Sequence, residues 1–208
     1  MNKTLINEIL SKNINLVAVT KKHSKEEVDQ LHDLGLSTFG ENRVQEFLTK
    51  YDPAYTWHII GHLQTNKVKY IVGKVDVIES VDSLKLAKEI EKQAAKQDLV
   101  QKVLIELKVS KTDENKTGYP YENAFEFLKE MEQFKHIEVK GLMCIATNTD
   151  DQSINAKEFD IMKEIFDQAK EIYPQMDTLS MGMSHDWRLA LEHGATQVRI
   201  GTALFTEE

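Results

Sequence analysis

Short apolar runs alternate with amphipathic segments along the whole chain. The runs are rich in β-branched residues, which is typical of buried strands, and the segments between them have apolar residues at helical spacing. Eight runs predict strands over residues 16–21, 37–40, 55–61, 76–81, 102–109, 138–146, 177–183 and 197–202. The three prolines, Pro53, Pro120 and Pro174, all fall between predicted elements, which supports this division.

The segments between the strands predict helices, and several begin at a good capping residue. We predict helices over residues 3–12, 24–35, 42–50, 65–72, 83–96, 121–133, 153–173 and 184–194, and a polar loop over 110–118. Asp82, Ser153 and Ser184 are the expected N-caps of three of them. Eight strand–helix units predict an α/β fold, a single (β/α)8 TIM barrel over residues 1–208 with an extra N-terminal helix. An open doubly wound sheet would show the same alternation, and periodicity does not separate the two.

Composition and charge narrow the possible functions. The 208 residues include 34 acidic and 26 basic side chains, and the net charge of −8 argues against a nucleic-acid-binding protein, which needs a basic face. No apolar run is long enough for a membrane span, so we expect a cytoplasmic protein without a membrane partner. The one cysteine, Cys144, lies in an apolar run and is expected to be buried. His58 and His62 are spaced HxxxH on a strand and its loop, and no metal site is expected there.

Lys21 occupies an unusual place, at the carboxyl end of the first predicted strand. A lysine there can be half buried, held by the strand and turned toward the mouth of the sheet. A fixed amine of this kind is what Schiff-base chemistry with an aldehyde needs. Lys22 is expected to point the other way, because neighbouring side chains on a strand alternate. Most lysines after a strand are solvated, however, so this stretch alone does not decide the question.

The seventh and eighth predicted strands both end in residues suited to a phosphate. In barrels, a phosphate site is commonly built by the loops after these two strands. The seventh ends in Met181 and Gly182, followed by Ser184, and the eighth ends in Gly201 and Thr202. Glycine allows close approach to the backbone, and the hydroxyl groups add uncharged donors for a phosphate dianion. It also remains open that Ser184 is only a cap and Gly201 only a turn.

Arg199 lies within an apolar strand run, so we expect it to point into the barrel. A buried arginine needs an acceptor. One interpretation is an ion pair with a core carboxylate such as Glu79 or Glu106. The other is a donor aimed at the ring nitrogen of a ligand.

Several motifs occur together and in order, and they make the sequence recognisable. They are residues 18–21 (AVTK), 39–46 (FGENRVQE), 57–67 (WHIIGHLQTNK), 140–143 (KGLM), 179–184 (LSMGMS) and 198–202 (VRIGT). Over nearly the whole chain the sequence resembles the pyridoxal phosphate homeostasis protein family, which is related in fold to the barrel domain of alanine racemase. One position departs from the family pattern: a proline is usual two residues after the lysine, and His23 stands here, which would loosen the turn.

The resemblance implies pyridoxal 5'-phosphate (PLP) as the cofactor. It implies that Lys21 holds PLP as a Schiff base, that Arg199 approaches the pyridine nitrogen, and that Asn42 lies near the cofactor. It also implies that Ser184, Gly201 and Thr202 face the phosphate. With neighbours at the strand ends, the expected cofactor-binding residues are Lys21, Asn42, His62, Met181, Gly182, Ser184, Arg199, Gly201 and Thr202.

The same resemblance implies a non-catalytic role in PLP homeostasis. Racemase chemistry needs a second acid or base, which alanine racemase supplies as a tyrosine from a further domain. This chain ends at Glu208, and its barrel-mouth motifs contain no tyrosine. We therefore expect a monomeric carrier or regulator that binds PLP and related B6 vitamers, with PLP-dependent apo-enzymes as possible recipients. The alternatives are a small PLP-dependent amino-acid racemase or lyase using Lys21 alone or with His62, and a sugar-phosphate barrel enzyme without cofactor.

Overall fold

The computed structural model describes residues 1–110 and 117–206, so most of the predicted loop over 110–118 lies outside the described residues. The strands are β1 Leu16–Val19, β2 Thr38–Glu41, β3 Thr56–Ile59, β4 Val77–Val81, β5 Gln101–Lys108, β6 Tyr119–Pro120, β7 Ile137–Cys144, β8 Thr178–Ser180 and β9 Val198–Ile200. The α-helices are α1 Lys3–Ser11, α2 Lys25–Asp33, α3 Val44–Lys50, α4 Leu84–Lys96, α5 Ala124–Met131, α6 Gln152–Ile172, α7 Trp187–Glu192 and α8 Thr202–Phe205, and short 3-10 helices cover Thr65–Tyr70 and Tyr121–Asn123.

The strands are parallel and form a barrel. Their order is β8-β7-β5-β4-β3-β2-β1-β9, with the two-residue strand β6 attached to β5. A parallel bridge between Ser180 and Gln197 then joins β8 to the residue before β9, and the Met181 N–H donates to the Gln197 carbonyl at 3.1 Å. The first and last strands of the order therefore meet. This confirms the predicted (β/α)8 TIM-barrel fold and excludes the open doubly wound sheet.

All eight predicted strands are present, but several helix starts differ from the prediction, and none of the three predicted N-caps named above is the observed one. The N-cap of α4 is Ser83 rather than Asp82, and its hydroxyl accepts a hydrogen bond from the Leu86 N–H at 3.3 Å. Helix α6 begins at Gln152, one residue before the predicted cap. Helix α7 begins at Trp187, so Ser184 is not a cap.

The carboxylate of Asp186 explains the late start of α7. It accepts a hydrogen bond from the Met183 N–H at 2.6 Å, and the Asp186 N–H donates to the Met183 carbonyl at 3.1 Å. These two bonds close a turn over residues 183–186. The turn leaves Ser184 in a loop, where its hydroxyl is available to other partners.

Side chains alternate between two environments, because successive residues of a strand face opposite sides of the sheet. Phe39 and Trp57 are fully buried in the apolar layer between barrel and helices. Their neighbours Gly40 and His58 fall on the inner side, where a Cβ on Gly40 would lie 2.6 Å from Val17 Cγ1. The helices of residues 1–110 and 117–206 include none with both the length and the apolar character that a bilayer span requires.

Candidate functional site

Lys21 lies in a turn at the carboxyl end of β1, two residues beyond the last strand residue. Its side chain is exposed, and within the described residues it has no hydrogen-bond or ion-pair partner. The expectation that the strand would half bury this lysine was therefore wrong, because β1 ends at Val19 and not at Lys21. What remains is a free amine at the end of the barrel where parallel barrels carry their active sites.

A buried ion pair holds the strand end immediately before Lys21. The Thr20 hydroxyl donates to Glu41 Oε1 at 2.5 Å, and Lys50 Nζ donates to the same oxygen at 2.8 Å. Lys50 Nζ also donates to the Thr20 carbonyl at 2.7 Å. We call Thr20, Glu41 and Lys50 the β1 clamp. It fixes both the side chain and the carbonyl of the residue that precedes Lys21.

Burial has the largest effect on the pKa of Glu41, the carboxylate of the β1 clamp. Desolvation raises the pKa of Glu41 above its ordinary value, and the hydrogen bonds from Lys50 and Thr20 oppose that rise. The second carboxylate oxygen, Glu41 Oε2, has no hydrogen-bond partner. The clamp is therefore a costly arrangement that depends on Lys50 as its counter-ion.

The residues after Lys21 are also held. The Lys22 N–H donates to Glu46 Oε2 at 2.9 Å, and Lys22 itself has a left-handed backbone with φ of +68°. The His23 ring stacks on Phe205, with ring centroids 3.4 Å apart and an interplanar angle of 8°. His23 therefore joins the turn after β1 to α8, and the turn is not left loose by the missing proline.

The loops after β8 and β9 meet directly beside the end of β1. The Gly201 N–H donates to the Ser184 hydroxyl at 3.3 Å, and the Arg199 N–H donates to the Gly182 carbonyl at 2.9 Å. Gly182 has φ of +94°, and a Cβ there would lie 2.6 Å from the Cβ of Ala190. Only glycine meets both constraints without strain.

The donor set of these two loops fits a phosphate group. A Cβ on Gly201 would lie 3.2 Å from both the Cβ and the carbonyl oxygen of Val19, so this stretch of backbone is bare and packed against β1. Ser184 and Thr202 supply hydroxyl groups, and the first N–H groups of α8 have no acceptor within the helix. Uncharged donors converging in this way are a common means of holding phosphate.

Arg199 points into the barrel and is only 3% exposed. Its Nη1 donates to the Ser180 hydroxyl and its Nη2 to the Cys144 carbonyl, both at 2.7 Å. Nη1 also lies 4.0 Å from Glu79 Oε2. The predicted inward arginine with a core carboxylate partner is confirmed, and the partner is Glu79. An approach of Arg199 to a ligand ring remains a prediction.

Glu79 is the centre of the polar network inside the barrel. Its Oε1 accepts hydrogen bonds from His58 Nδ1 at 2.6 Å and Gln197 Nε2 at 2.8 Å, and its Oε2 accepts one from the Ser180 hydroxyl at 2.7 Å. Burial alone would raise the pKa of Glu79, but the His58 bond, followed by the charges of His58 and Arg199, outweighs burial and holds the pKa below its ordinary value. The network therefore keeps a carboxylate charged beneath Arg199.

The other predicted cofactor-binding residues differ in whether their side chains reach the barrel mouth. Asn42 and His62 line one groove at the mouth, and His62 Nδ1 lies 3.6 Å from Asp82 Oδ2. The Met181 side chain, by contrast, is fully buried in the outer apolar core, so the structure does not bring it to the mouth. The alternation of a three-residue strand turns it toward the helices.

Glu106 was predicted only as an alternative partner for Arg199, and the structure gives it a separate place. It is 2% exposed and accepts a hydrogen bond from the Thr117 hydroxyl at 2.8 Å. Burial raises its pKa above the ordinary value, and the Thr117 bond opposes that rise. The sequence indicated that Glu106 is buried, because it lies within the apolar run of the fifth predicted strand.

Comparisons with known proteins agree with this fold, which is a barrel of the alanine racemase type. The family profile described as alanine racemase, N-terminal domain, matches residues 2–208. A relative from Aquifex aeolicus named pyridoxal phosphate homeostasis protein is 43% identical over 197 residues, which cover 92% of this chain and 86% of the relative. A relative of the same name from Helicobacter pylori is 38% identical over 93% of this chain and 88% of its own length. The chain belongs to the pyridoxal phosphate homeostasis protein family.

Comparison with solved structures shows the same fold. PipY of Synechococcus elongatus with PLP bound has a TM-score of 0.87 and 31% identity, over 97% of this chain and 100% of that chain. Alanine racemase of Clostridium difficile in complex with cycloserine has a TM-score of 0.84 at 15% identity, over 99% of this chain and 58% of that chain. At that identity the likeness to the racemase shows the fold alone.

Proposed function

We propose that this protein binds PLP at the barrel mouth and serves PLP homeostasis, with Lys21 bonded to the aldehyde carbon of the cofactor. Bound PLP supplies an aldehyde that reacts with amines and a ring that withdraws electrons. Ser184, Gly201 and Thr202 would hold its phosphate. The observation that carries the proposal is the hydrogen bond from Gly201 N–H to Ser184 Oγ, since it brings the two phosphate-type loops together beside β1. Membership of the family supports the same cofactor.

The other residues have supporting roles in this proposal. Arg199 would face the ring nitrogen, and a guanidinium group held by Ser180 and Cys144 can only donate, so it would keep that nitrogen unprotonated. Asn42, His62 and Gly182 would form the rim. Met181 would contribute through its backbone only, because its side chain is buried.

We infer further that the protein is a carrier or regulator of PLP and related B6 vitamers rather than an enzyme. The relatives are named for homeostasis, and Lys21 is exposed, which suits uptake and release of a cofactor. PLP-dependent apo-enzymes are the expected recipients. We propose a monomer, because the large exposed apolar side chains, such as Leu10 and Ile172, belong to different elements. We also propose that the protein works in the cytoplasm.

A small amino-acid racemase or lyase is the second candidate. The observation in its favour is the His62–Asp82 pair at 3.6 Å, which places a candidate base at the rim of the mouth. Incubation of the PLP-loaded protein with single L-amino acids in heavy water separates the two functions. The carrier predicts no exchange of the Cα proton at enzymic rates, and rapid exchange that is lost in His62→Gln would establish the enzyme.

A binding experiment tests the proposed site. Lys21→Ala should lose the visible absorbance that develops when PLP is added, while the matched variant Lys22→Ala should keep it. Both variants should still bind pyridoxine 5'-phosphate, which has the phosphate but no aldehyde, because the loops after β8 and β9 are unchanged. A Lys21→Ala protein with the full PLP spectrum would refute the proposal.

A further inference from the structure

A groove opens at the barrel mouth between the segments that follow β2 and β3. Its volume is about 280 Å³, close to the lower end of the range for small-molecule sites. The two segments are closely packed against each other, because a Cβ on Gly61 would lie 2.6 Å from the Asn42 carbonyl oxygen. The polar side chains that line it are Asn42, Arg43, Gln45, His62, Gln64 and Lys67.

The groove carries positive charge in an acidic protein. Arg43 and Lys67 both line it, and the described residues of its lining include no carboxylate, although the chain has a net charge of −8. Across residues 1–110 and 117–206, Arg43 has no ion-pair partner. Lys67 likewise lacks a carboxylate partner in that part of the chain, and its one ring contact is to Tyr70 at 6.0 Å. Two cations therefore share one cavity without an internal counter-ion.

Two carboxylates that adjoin the groove residues in sequence or by contact already have other partners. Glu46, three residues after Arg43, accepts the hydrogen bond from the Lys22 N–H at 2.9 Å. Asp82 pairs with His62 at 3.6 Å. Neither is a lining residue of the groove. Arg43 and Lys67 are thus open to pairing with an anionic ligand.

We propose that this groove binds a small dicarboxylate anion. A planar guanidinium pairs with a planar carboxylate through two hydrogen bonds, and the ammonium group of Lys67 can balance a second carboxylate. The amides of Gln45 and Gln64 can donate to remaining oxygens. The site differs in chemistry from the phosphate loops, whose donors are uncharged. Asn42 and His62 belong both to the groove and to the expected cofactor rim, so a bound dicarboxylate would contact the rim of the PLP site.

The test is a calorimetric titration of succinate into the full chain, both free of cofactor and loaded with PLP and reduced with borohydride. Arg43→Gln and Lys67→Gln should each weaken succinate binding about tenfold, as expected for loss of a charge-assisted hydrogen bond. The matched control is Lys69→Gln, which removes an exposed charge on the same short helix but outside the groove, and it should bind as the wild type does. Neutral succinamide should not bind.

Several outcomes would overturn the dicarboxylate site. One is that the wild type does not bind succinate. Another is that Lys69→Gln weakens succinate binding as much as Arg43→Gln and Lys67→Gln do. A third is that inorganic phosphate binds the reduced, PLP-loaded protein as tightly as succinate does, although the loops after β8 and β9 are then occupied. The proposal adds to the proposed function but is separable from it. A protein that binds succinate but never loads PLP would refute the cofactor assignment alone, and a PLP-loaded protein indifferent to succinate would refute the groove alone.

Discussion

Lys21 and Lys22 are adjacent, both are exposed, and they differ in their backbone surroundings. The sequence could identify Lys21 from its place after an apolar strand and from the surrounding motifs. It could not show that the strand stops at Val19, or that Lys50, from α3, fixes the preceding residue through a buried ion pair. Such a pair joins residues distant in the chain, and neither periodicity nor capping rules reveal it.

The β1 clamp leads to a prediction on stability. Lys50→Met leaves Glu41 buried without its counter-ion, so the free energy of unfolding should fall by about 3 kcal/mol. The double variant Glu41→Gln/Lys50→Met removes the uncompensated charge and should recover much of that loss. Urea unfolding of the two single variants and the double variant measures the coupling. Strictly additive effects would show that the pair does not act as a unit.

Glu106 gives a prediction on pH dependence. Because its folded pKa is raised, its carboxyl group stabilises the fold below its ordinary pKa and loses that contribution as pH rises through the folded value. Glu106→Gln keeps an acceptor for Thr117 without a charge. The stability of the variant should therefore match that of the wild type at about pH 4 and exceed it at about pH 8. Thermal unfolding across this range, with exposed Glu126→Gln as control, tests it; a variant less stable at the higher pH contradicts it.

At the scale of elements, the strands were predicted closely and the helix starts less well. Apolar runs mark strands directly, because the barrel buries both faces of each. A helix start depends on which of several nearby polar residues takes the N-cap position. Asp186 takes it in α7 instead of Ser184, because its carboxylate accepts a hydrogen bond from the Met183 N–H. The short helix α8 was missed altogether, because four residues give no periodic signal.

Helix α8 directly follows the loop after β9, and the stacking of His23 on Phe205 should steady the proposed phosphate site. Phe205→Ala removes this contact, and PLP affinity should fall about threefold, in line with the energy of a single aromatic pair. Thr206→Ala, at the exposed residue that directly follows this helix, is the matched control. Fluorescence titration with PLP measures both. An unchanged affinity for Phe205→Ala would mean that α8 positions the phosphate loops without this stack.

At the scale of the whole molecule, the barrel depends on close backbone packing near its closure. Eight strand–helix units predicted the barrel, but the sequence does not show where the last strands meet. The structure places a Cβ on Gly141 only 1.7 Å from the Thr178 carbonyl oxygen, between β7 and β8. This crowding lies between backbones, which no side-chain movement relieves.

Gly141→Ala should therefore damage the whole fold rather than one loop. We expect the free energy of unfolding to fall by about 3 kcal/mol or more, since β7 and β8 must separate locally to accept the methyl group. Urea unfolding followed by circular dichroism measures this loss. A variant as stable as the wild type would show that the β7–β8 contact is looser than the structure describes.

Reduction of the PLP-loaded protein with borohydride shows whether Lys21 holds the cofactor. The reduced link is stable, so digestion and mass spectrometry of the peptides locate it. We predict one phosphopyridoxyl group per chain, on Lys21, in both the wild type and Lys22→Ala, and none in Lys21→Ala. A label on Lys22 or Lys50, or a stoichiometric label in Lys21→Ala, would contradict the account.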